Sequence, residues 1–348
     1  MVTYSESGVN IGLGDTASDI MYNAARITWD NRKGKLGEVI SPFDDFTGLR
    51  AVNVSGLPTG SFLGMNLDGI GTKVEIAERL GKHDTMAHDL FAMVCDDAVV
   101  RGGEPILVGS ILDANKIDIG IIKQLAKGYV SAAKEANVAV INGEIAELGD
   151  RISGFGKHSY NWGAVAVWIA RKENMLSGKE LNAGDTLVAF RDKGFRSNGF
   201  SLLRKAMDGK WDEKTLIEAL TPSKIYSKAV VNMFGRLTGV AHITGGGIPG
   251  KLGRMLKASG LGAKLDGMFQ PCRLMKYCIE TENIPLEDAY KSWNMGNGMI
   301  IATKQPDEII KIAKKHGIEA KVCGEVMKEK GITLKAFNGE KLMFEKNI

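Results

Sequence analysis

The residues best suited to chemistry stand in short, glycine-bearing clusters. DGIGTK, residues 68–73, follows an apolar run. Gly69 and Gly71 let the backbone approach a ligand, and successive N–H groups in such a turn can cradle an anion. Thr72 adds a hydroxyl and Lys73 a point charge for phosphate. Asp68 suits Mg2+, which takes one or two carboxylates together with phosphate oxygens. The spacing is not G-x-x-x-x-G-K-[ST], so this is not the common P-loop. The plain alternative is a tight turn with a surface Asp and Lys. Asp97 closes a stripe of Met86, Leu90 and Met93, spaced for one helix face. A carboxylate there must be paired, protonated or metal-bound, because an isolated buried charge costs several kcal/mol. Glu144 follows the apolar run VAVING, and ligands of α/β sheets gather beyond such strand ends. Asp68, Asp97 and Glu144 are therefore expected to converge on one or two divalent ions, the alternatives being an arginine partner for Asp97 and an open loop for Glu144.

Two further clusters lie in the second half. Arg196-Ser197-Asn198-Gly199 opens an apolar-periodic stretch, and free N–H groups at a helix start favour a phosphate; a simple Ser197 cap is the alternative. His242-Ile243-Thr244-Gly245-Gly246-Gly247 runs from a strand into three glycines, more than a turn needs, which points to phosphate binding. His242 alone is equally a satisfied core histidine.

The elements that must position these groups alternate. Strands are expected at 60–67 (buried), 105–112, 138–142 and 162–170. A helix capped by Asp84 is expected to run to Arg101, and another over 118–136. After a boundary near 170, DTLVAF and VAHIT read as strands. Ser197 caps one helix, Thr221-Pro222 starts another by cap and N1 proline, and a basic helix follows the glycines. A helix near 285–293, a strand at 298–303, a helix at 306–315 and a strand at 319–326 complete the pattern. The lysine-rich segment KEKGITLKAFNGEK reads as solvated surface. The fold class is thus α+β, with two α/β-layered domains over 1–170 and 171–348.

Composition sets bounds. The chain has 348 residues, 44% hydrophobic and 25% charged, with a net charge of +4. This is ordinary for a globular protein and excludes a dedicated nucleic-acid binder. Four scattered cysteines without a C-x-x-C pair argue against structural zinc and disulfides. The polar start without an apolar h-region, and the lack of a run near 20 apolar residues, predict a cytoplasmic protein with no membrane partner.

In order and spacing, YSESGVNI, DGIGTKVEIAERLGKHDT, HDLFAMVCDDAVVRGGEPI, NGEIAE, FRSNGFSLLRK, AHITGGGIPGKLGRML, WNMGNGMIIA and CGEV resemble the phosphoribosylformylglycinamidine cyclo-ligase (AIR synthetase) family over almost the whole chain. The resemblance implies an enzyme of purine biosynthesis that uses ATP and Mg2+. It would convert formylglycinamidine ribonucleotide to aminoimidazole ribonucleotide, releasing ADP and phosphate. It also implies a homodimer whose N-terminal sheets form a shared barrel, and a C-terminal α/β domain, with mixed sheet and flanking helices, that meets the substrate phosphate. By position, Asp68, Asp97 and Glu144 would hold metal. Gly69, Gly71, Thr72 and Lys73 would hold the nucleotide. Arg196, Ser197, Asn198, Gly199, Thr244, Gly245, Gly246 and Gly247 would hold substrate, with Lys73, Arg196 and His242 catalytic. Chemistry agrees: an amide oxygen leaves poorly until phosphorylated, and phosphoryl transfer needs positioning and charge neutralisation.

Departures from the family pattern fall at residues 41–46, where a glycine-rich loop is usual, at Arg196 in place of His, at Asp96 in place of Asn, and at NGEIAELGD. They touch the substrate side more than DGIGTK. At Arg196 an arginine stays protonated, so an electrostatic clamp on phosphate is expected there, with no proton passing through it. Competing readings are a divergent member of the same ATP-dependent superfamily, beside selenophosphate synthetase, thiamine-monophosphate kinase and a hydrogenase-maturation protein, or a non-catalytic nucleotide-binding subunit.

Overall fold

Strands and helices fall into two units, Met1–Ala98 with Glu104–Ala170, and Val99–Gly103 with Arg171–Ile348. The computed structural model describes residues 11–40 and 50–345. The departure at 41–46 and most of YSESGVNI lie outside the described residues.

The first unit runs α1 (Ile11–Thr28), β1 (Val39–Ile40), β2 (Ala51–Val52), β3 (Ser61–Gly69), α2 (Val74–Leu80), α3 (Met86–Val99), β4 (Glu104–Ala114), α4 (Ile119–Ala136), β5 (Ala139–Glu147) and β6 (Tyr160–Arg171). Its four-stranded sheet has the order β3-β6-β4-β5, with β4 parallel to β5 and antiparallel to β6. Asp118 starts α4 by accepting from Ile121 N at 2.9 Å, and Asn137 ends it with φ 59°. Ile122, Leu125, Ala126, Tyr129, Ala132 and Ala133 recur at helical spacing and are buried. Tyr129 packs edge-on against Phe91 of α3 and lies 5.4 Å from Trp162 of β6, so helices cover one face of the sheet. The alternation of β4 and β6 leaves the other face open: Ser110 and Leu112 are buried, and Ile111 between them is exposed.

Three expectations are corrected here. β3 is not a buried strand: Leu63, Met65 and Leu67 are 70%, 64% and 73% exposed, because β3 is an edge strand whose apolar side chains are left uncovered by the described residues. α3 begins at Met86, two residues beyond Asp84, and stops at Val99; the Asp84 carboxylate instead meets Lys127 Nζ at 3.3 Å. β5 continues past residue 142 through Glu144, so the glycine there lies within a strand.

The second unit runs β7 (Thr186–Arg191), α5 (Phe200–Ala206), α6 (Glu213–Ala219), α7 (Ser227–Val231), β8 (Leu237–His242), α8 (Gly247–Leu256), β9 (Gly262–Leu265), α9 (Arg273–Thr281), α10 (Leu286–Ser292), β10 (Asn297–Thr303), α11 (Pro306–Lys315), β11 (Ala320–Met327), β12 (Ile332–Lys335) and β13 (Lys341–Phe344). Its seven-stranded sheet has the order β13-β12-β9-β11-β7-β10-β8. The sheet is mixed, with β12 parallel to β9 and the other pairs antiparallel. β10 lies between β7 and β8 and is buried throughout, as its apolar run requires. Phe190, Tyr226, Val240, Met299, Ile301 and Ile309 build the core beneath it. α11 has Pro306 in its first turn, acids beside it and lysines in its last turn, in keeping with the helix dipole.

Here Ser197 does not cap a helix. α5 starts at Phe200 after Gly199, whose φ of 77° makes the turn. Thr221-Pro222 starts no helix either, and the next one begins at Ser227. The lysine-rich tail segment is not plain surface: it supplies β12 and the start of β13, which bury Ile332, Leu334 and Leu342. Among the described residues no helix is long and apolar enough to cross a membrane.

Candidate active site

In the first unit DGIGTK is the end of β3 and the turn that follows. Asp68 Oδ1 accepts from Gly69 N at 2.7 Å, and Gly71 takes φ 58°. Asp68, Gly71 and Thr72 are exposed, so this turn offers polar groups to solvent. Lys73 does not join them. It turns inward at the start of α2, and its Nζ meets Asp89 Oδ1 of α3 at 2.8 Å with both side chains fully buried. In this arrangement the Lys73 ammonium faces Asp89 and not the exposed turn. The reason is electrostatic: a buried carboxylate needs a cation, and Lys73 supplies it. Close by, burial pushes the Tyr160 phenol up, with Glu78 and Asp89 adding to it. Tyr160 OH lies 2.9 Å from Nδ1 of buried His83. Burial holds the His83 imidazole down to about 4, against the opposing pull of Asp118 and Asp84.

The three expected metal carboxylates do not gather within one chain. Ile111 pairs with both Glu144 and Gly163, and the Asp68 carbonyl lies 3.8 Å from where a Cβ on Gly163 would stand. The Ile70 N–H donates to the Trp162 carbonyl at 3.1 Å, which sets Gly69 opposite Gly163 in that row; Asp68 and Glu144 therefore stand on the two edge strands of the sheet, three strand spacings or about 14 Å apart. Asp97 is half-buried, while its neighbour Asp96 is, like Asp89, a fully buried carboxylate of α3. Among the described residues no three His, Cys, Asp or Glu side chains form a group able to hold a metal ion.

Glu144 does border a cavity of about 210 Å³ between α1, β4, α4 and β5. Tyr22, Trp29, Tyr129 and Arg50 line it. The Arg50 guanidinium lies 4.9 Å from the Tyr22 ring centre and 5.5 Å from that of Trp29. Ser110 Oγ and Tyr129 OH, 2.7 Å apart, add a buried polar pair.

In the second unit the two phosphate-type clusters do meet. Arg196 Nη2 lies 2.8 Å from His242 Nε2, and a Cβ on Gly245 would stand 3.2 Å from Asn198 Oδ1. Gly245, Gly246, Asn198 and Gly199 face outward or stand half-open, while Ser197 and Thr244 are nine-tenths buried. Ser197 Oγ has no hydrogen-bond partner in the structure. Gly246 and Gly247 start α8 with φ 92° and 59° and no side-chain cap; the Gly247 N–H closes the turn onto the Thr244 carbonyl at 2.9 Å, and the helix start stands beside that hydroxyl cluster. Arg196 is again a correction. It is fully buried and bound to Asp192 Oδ2 at 2.8 Å and to the Lys224 carbonyl at 2.8 Å. A guanidinium so committed does not clamp a solvent-borne phosphate.

Family models for the AIR synthase related protein match this chain twice, the N-terminal domain over residues 50–167 and the C-terminal domain over residues 182–336. The chain belongs to the AIR synthase related family. A phosphoribosylformylglycinamidine cyclo-ligase of Thermococcus kodakarensis is 30% identical over 352 residues, covering 97% of this chain and 99% of that protein. Among solved structures, a thiamine-monophosphate kinase from Stenotrophomonas maltophilia shares the fold with a TM-score of 0.65 at 14% identity, covering 92% of this chain and 96% of that one. The hydrogenase maturation protein HypE in complex with ATP does so with a TM-score of 0.61 at 13% identity, covering 84% and 87%. The chain thus has the two-domain α/β fold of the AIR synthase related family, with mixed sheets and flanking helices.

Several residues of this AIR synthase related protein that shape the site escape a sequence reading. Asp113 of β4 lies on the same open sheet face as Glu144, since Asp113 pairs with Ala146 and Glu144 stands two residues before it. The signal was an Asp ending an apolar run, but the expected strand stopped one residue short. Asp192, Tyr226 and the Lys224 carbonyl hold Arg196. Trp293 Nε1 donates to the Gly199 carbonyl and Asn294 Nδ2 to the Gly194 carbonyl, so WNMGNG braces the RSNG loop. Nothing local in the sequence announces partners about 100 residues away.

Proposed function

We infer that this chain is an ATP-dependent phosphoribosylformylglycinamidine cyclo-ligase of purine biosynthesis, converting formylglycinamidine ribonucleotide to aminoimidazole ribonucleotide with release of ADP and phosphate. The near-complete alignment with curated cyclo-ligases carries this reading. It sets aside a divergent or non-catalytic relative. ATP supplies the γ-phosphoryl that turns the substrate's amide oxygen into a leaving group; an internal nitrogen then attacks that carbon, and phosphate departs with the oxygen. The chain's own work is to hold, orient and exclude water.

The purine base of the nucleotide fits the cavity walled by Tyr22, Trp29 and Tyr129, with Arg50 stacked at its side. The exposed turn of Gly69, Gly71 and Thr72 suits the polyphosphate. In the second unit, Asn198, Ser197 and the start of α8 suit the ribonucleotide phosphate, because an unpartnered buried hydroxyl and a helix start both favour an anion.

Mg2+ in such sites takes one or two carboxylates plus phosphate oxygens. Glu144 with Asp113, on one sheet face, fits that donor set, and Asp68 stands too far away within one chain. A homodimer removes the difficulty. The sheet has β3 at one edge and β5 at the other, and β3 exposes Leu63, Met65 and Leu67 beside Ile111, an edge and apolar stripe of the kind proteins cover. Closing two such sheets into one barrel sets β3 of one copy against β5 of the other, which brings the partner subunit's Asp68 to Glu144.

The test is direct. Purified protein with ATP and Mg2+ should form ADP and aminoimidazole ribonucleotide in equal amounts from formylglycinamidine ribonucleotide. Folded protein that releases no substrate-dependent ADP would sink the reading.

A further inference from the structure

Arg196 and His242 form a contact whose chemistry admits one protonation pattern. Every guanidinium nitrogen is a donor and none accepts. The 2.8 Å separation between Arg196 Nη2 and His242 Nε2 is therefore a hydrogen bond only if Nε2 presents its lone pair. A ring protonated at Nε2, alone or at both nitrogens, would set two donors against each other. The guanidinium has little freedom to move away. Nη1 is spent on Asp192 Oδ2 and the Lys224 carbonyl, and the Tyr226 ring lies 4.9 Å from Cζ. Asp192 is itself fixed, its Oδ1 accepting from Gly194 N at 3.0 Å. Arg196 also holds a left-handed backbone, φ 57°, which non-glycine residues adopt rarely and only where neighbours impose it.

We propose that Arg196 is the positioning residue of His242, holding its imidazole as the neutral Nδ1–H tautomer with Nε2 closed to proton transfer. His242 lies at the end of β8, two residues before the loop that opens α8, so the ring that borders the anion-type loop can serve as a donor through Nδ1 and is not the base of ring closure through Nε2. Only that final clause rests on the cyclo-ligase reading. The tautomer concerns a bond inside the second unit and needs no substrate.

Histidine ring tautomers are read by long-range 1H–15N correlation on protein labelled at its five histidines, with His242 assigned by loss of its signals in His242→Gln. The parent is expected to show the Nδ1–H pattern. Arg196→Lys, which keeps a charged donor, is expected to retain it. Arg196→Met, which has none, is expected to switch to Nε2–H and to lower kcat for ring closure at least tenfold, with Arg196→Lys recovering part of the loss. An Nε2–H or doubly protonated ring in the parent overturns the proposal, as does an unchanged Nδ1–H pattern in Arg196→Met. The parent spectrum does not depend on Arg196→Met, so a poorly folding Arg196→Met leaves the question decided. A failed cyclo-ligase assay with an Nδ1–H parent would count against the assigned reaction and not against the tautomer.

Discussion

Lys73 shows how one residue is claimed by the interior and withdrawn from the surface. Its ammonium and the Asp89 carboxylate are both fully buried at 2.8 Å, and each is costly without the other. Lys73→Met should therefore lower unfolding free energy by about 3–5 kcal/mol by removing the cation from beside the buried Asp89 carboxylate, whereas Lys73→Met with Asp89→Leu should regain most of it. Urea unfolding of the parent, single and double variants checks this; a fully stable single variant would show that the pair carries no structural load. His83 makes a pH prediction. Its proton is bound less readily in the fold, at about 4, than in the unfolded chain at 6.5. Above 6.5 both states are neutral and stability does not respond. Below it the unfolded chain takes the proton first, so stability falls as pH drops towards 4, by about 3 kcal/mol. Denaturant titrations between pH 7.5 and 4.5 should show that slope in the parent, and His83→Gln should flatten it.

Among the elements, the loop that opens α8 separates glycines with different duties. Gly247 has φ 59°, and a Cβ there would stand 1.9 Å from the Tyr290 carbonyl. Gly245 has no such backbone demand and faces only Asn198 Oδ1 at 3.2 Å. Gly247→Ala should lower stability by more than about 1 kcal/mol. Gly245→Ala should melt like the parent yet raise KM for the ribonucleotide, because the added methyl crowds the exposed side of the loop. Calorimetry paired with steady-state kinetics separates the two, and equal KM in Gly245→Ala and the parent would remove this loop from substrate binding. Gly199 has a comparable packing duty, with Trp293 Cδ1 2.3 Å from its Cβ position.

For the whole molecule, the decisive feature is an incomplete sheet. Asp68 and Glu144 lie at its two edges, and the stripe on β3 is exposed among the described residues. If two copies complete the site, Asp68→Asn and Glu144→Gln should each be nearly inactive alone. Mixed after reversible dissociation, they should recover about a quarter of parental activity, since half the dimers are hybrids and each hybrid holds one intact site. No recovery from a mixture proven to contain hybrids would place both carboxylates in one chain's own site or in none. Light scattering on Leu63→Lys with Leu67→Lys should report a monomer.

Local pattern was enough to mark most of the alternation of strands and helices, because apolar period and cap chemistry act within a few residues. α4 with its Asp118 cap, β10 and α11 with its first-turn proline could be read from the chain alone. So could the loops of DGIGTK, RSNG and HITGGG, since glycine clusters after apolar runs have a local cause. What the sequence could not reveal was which charges the interior would claim. Lys73 reads as a phosphate ligand until α3 sets Asp89 against it, and Arg196 reads as a clamp until β7, β8 and the 221–226 loop enclose it. Burial of a charge depends on what the rest of the chain brings alongside: Asp89 stands 16 residues from Lys73, and the Lys224 carbonyl and His242 stand 28 and 46 residues from Arg196, although its carboxylate partner Asp192 is four residues away. The row of Gly69, Gly163, Ile111 and Glu144 is likewise a product of strand order, which no single strand encodes.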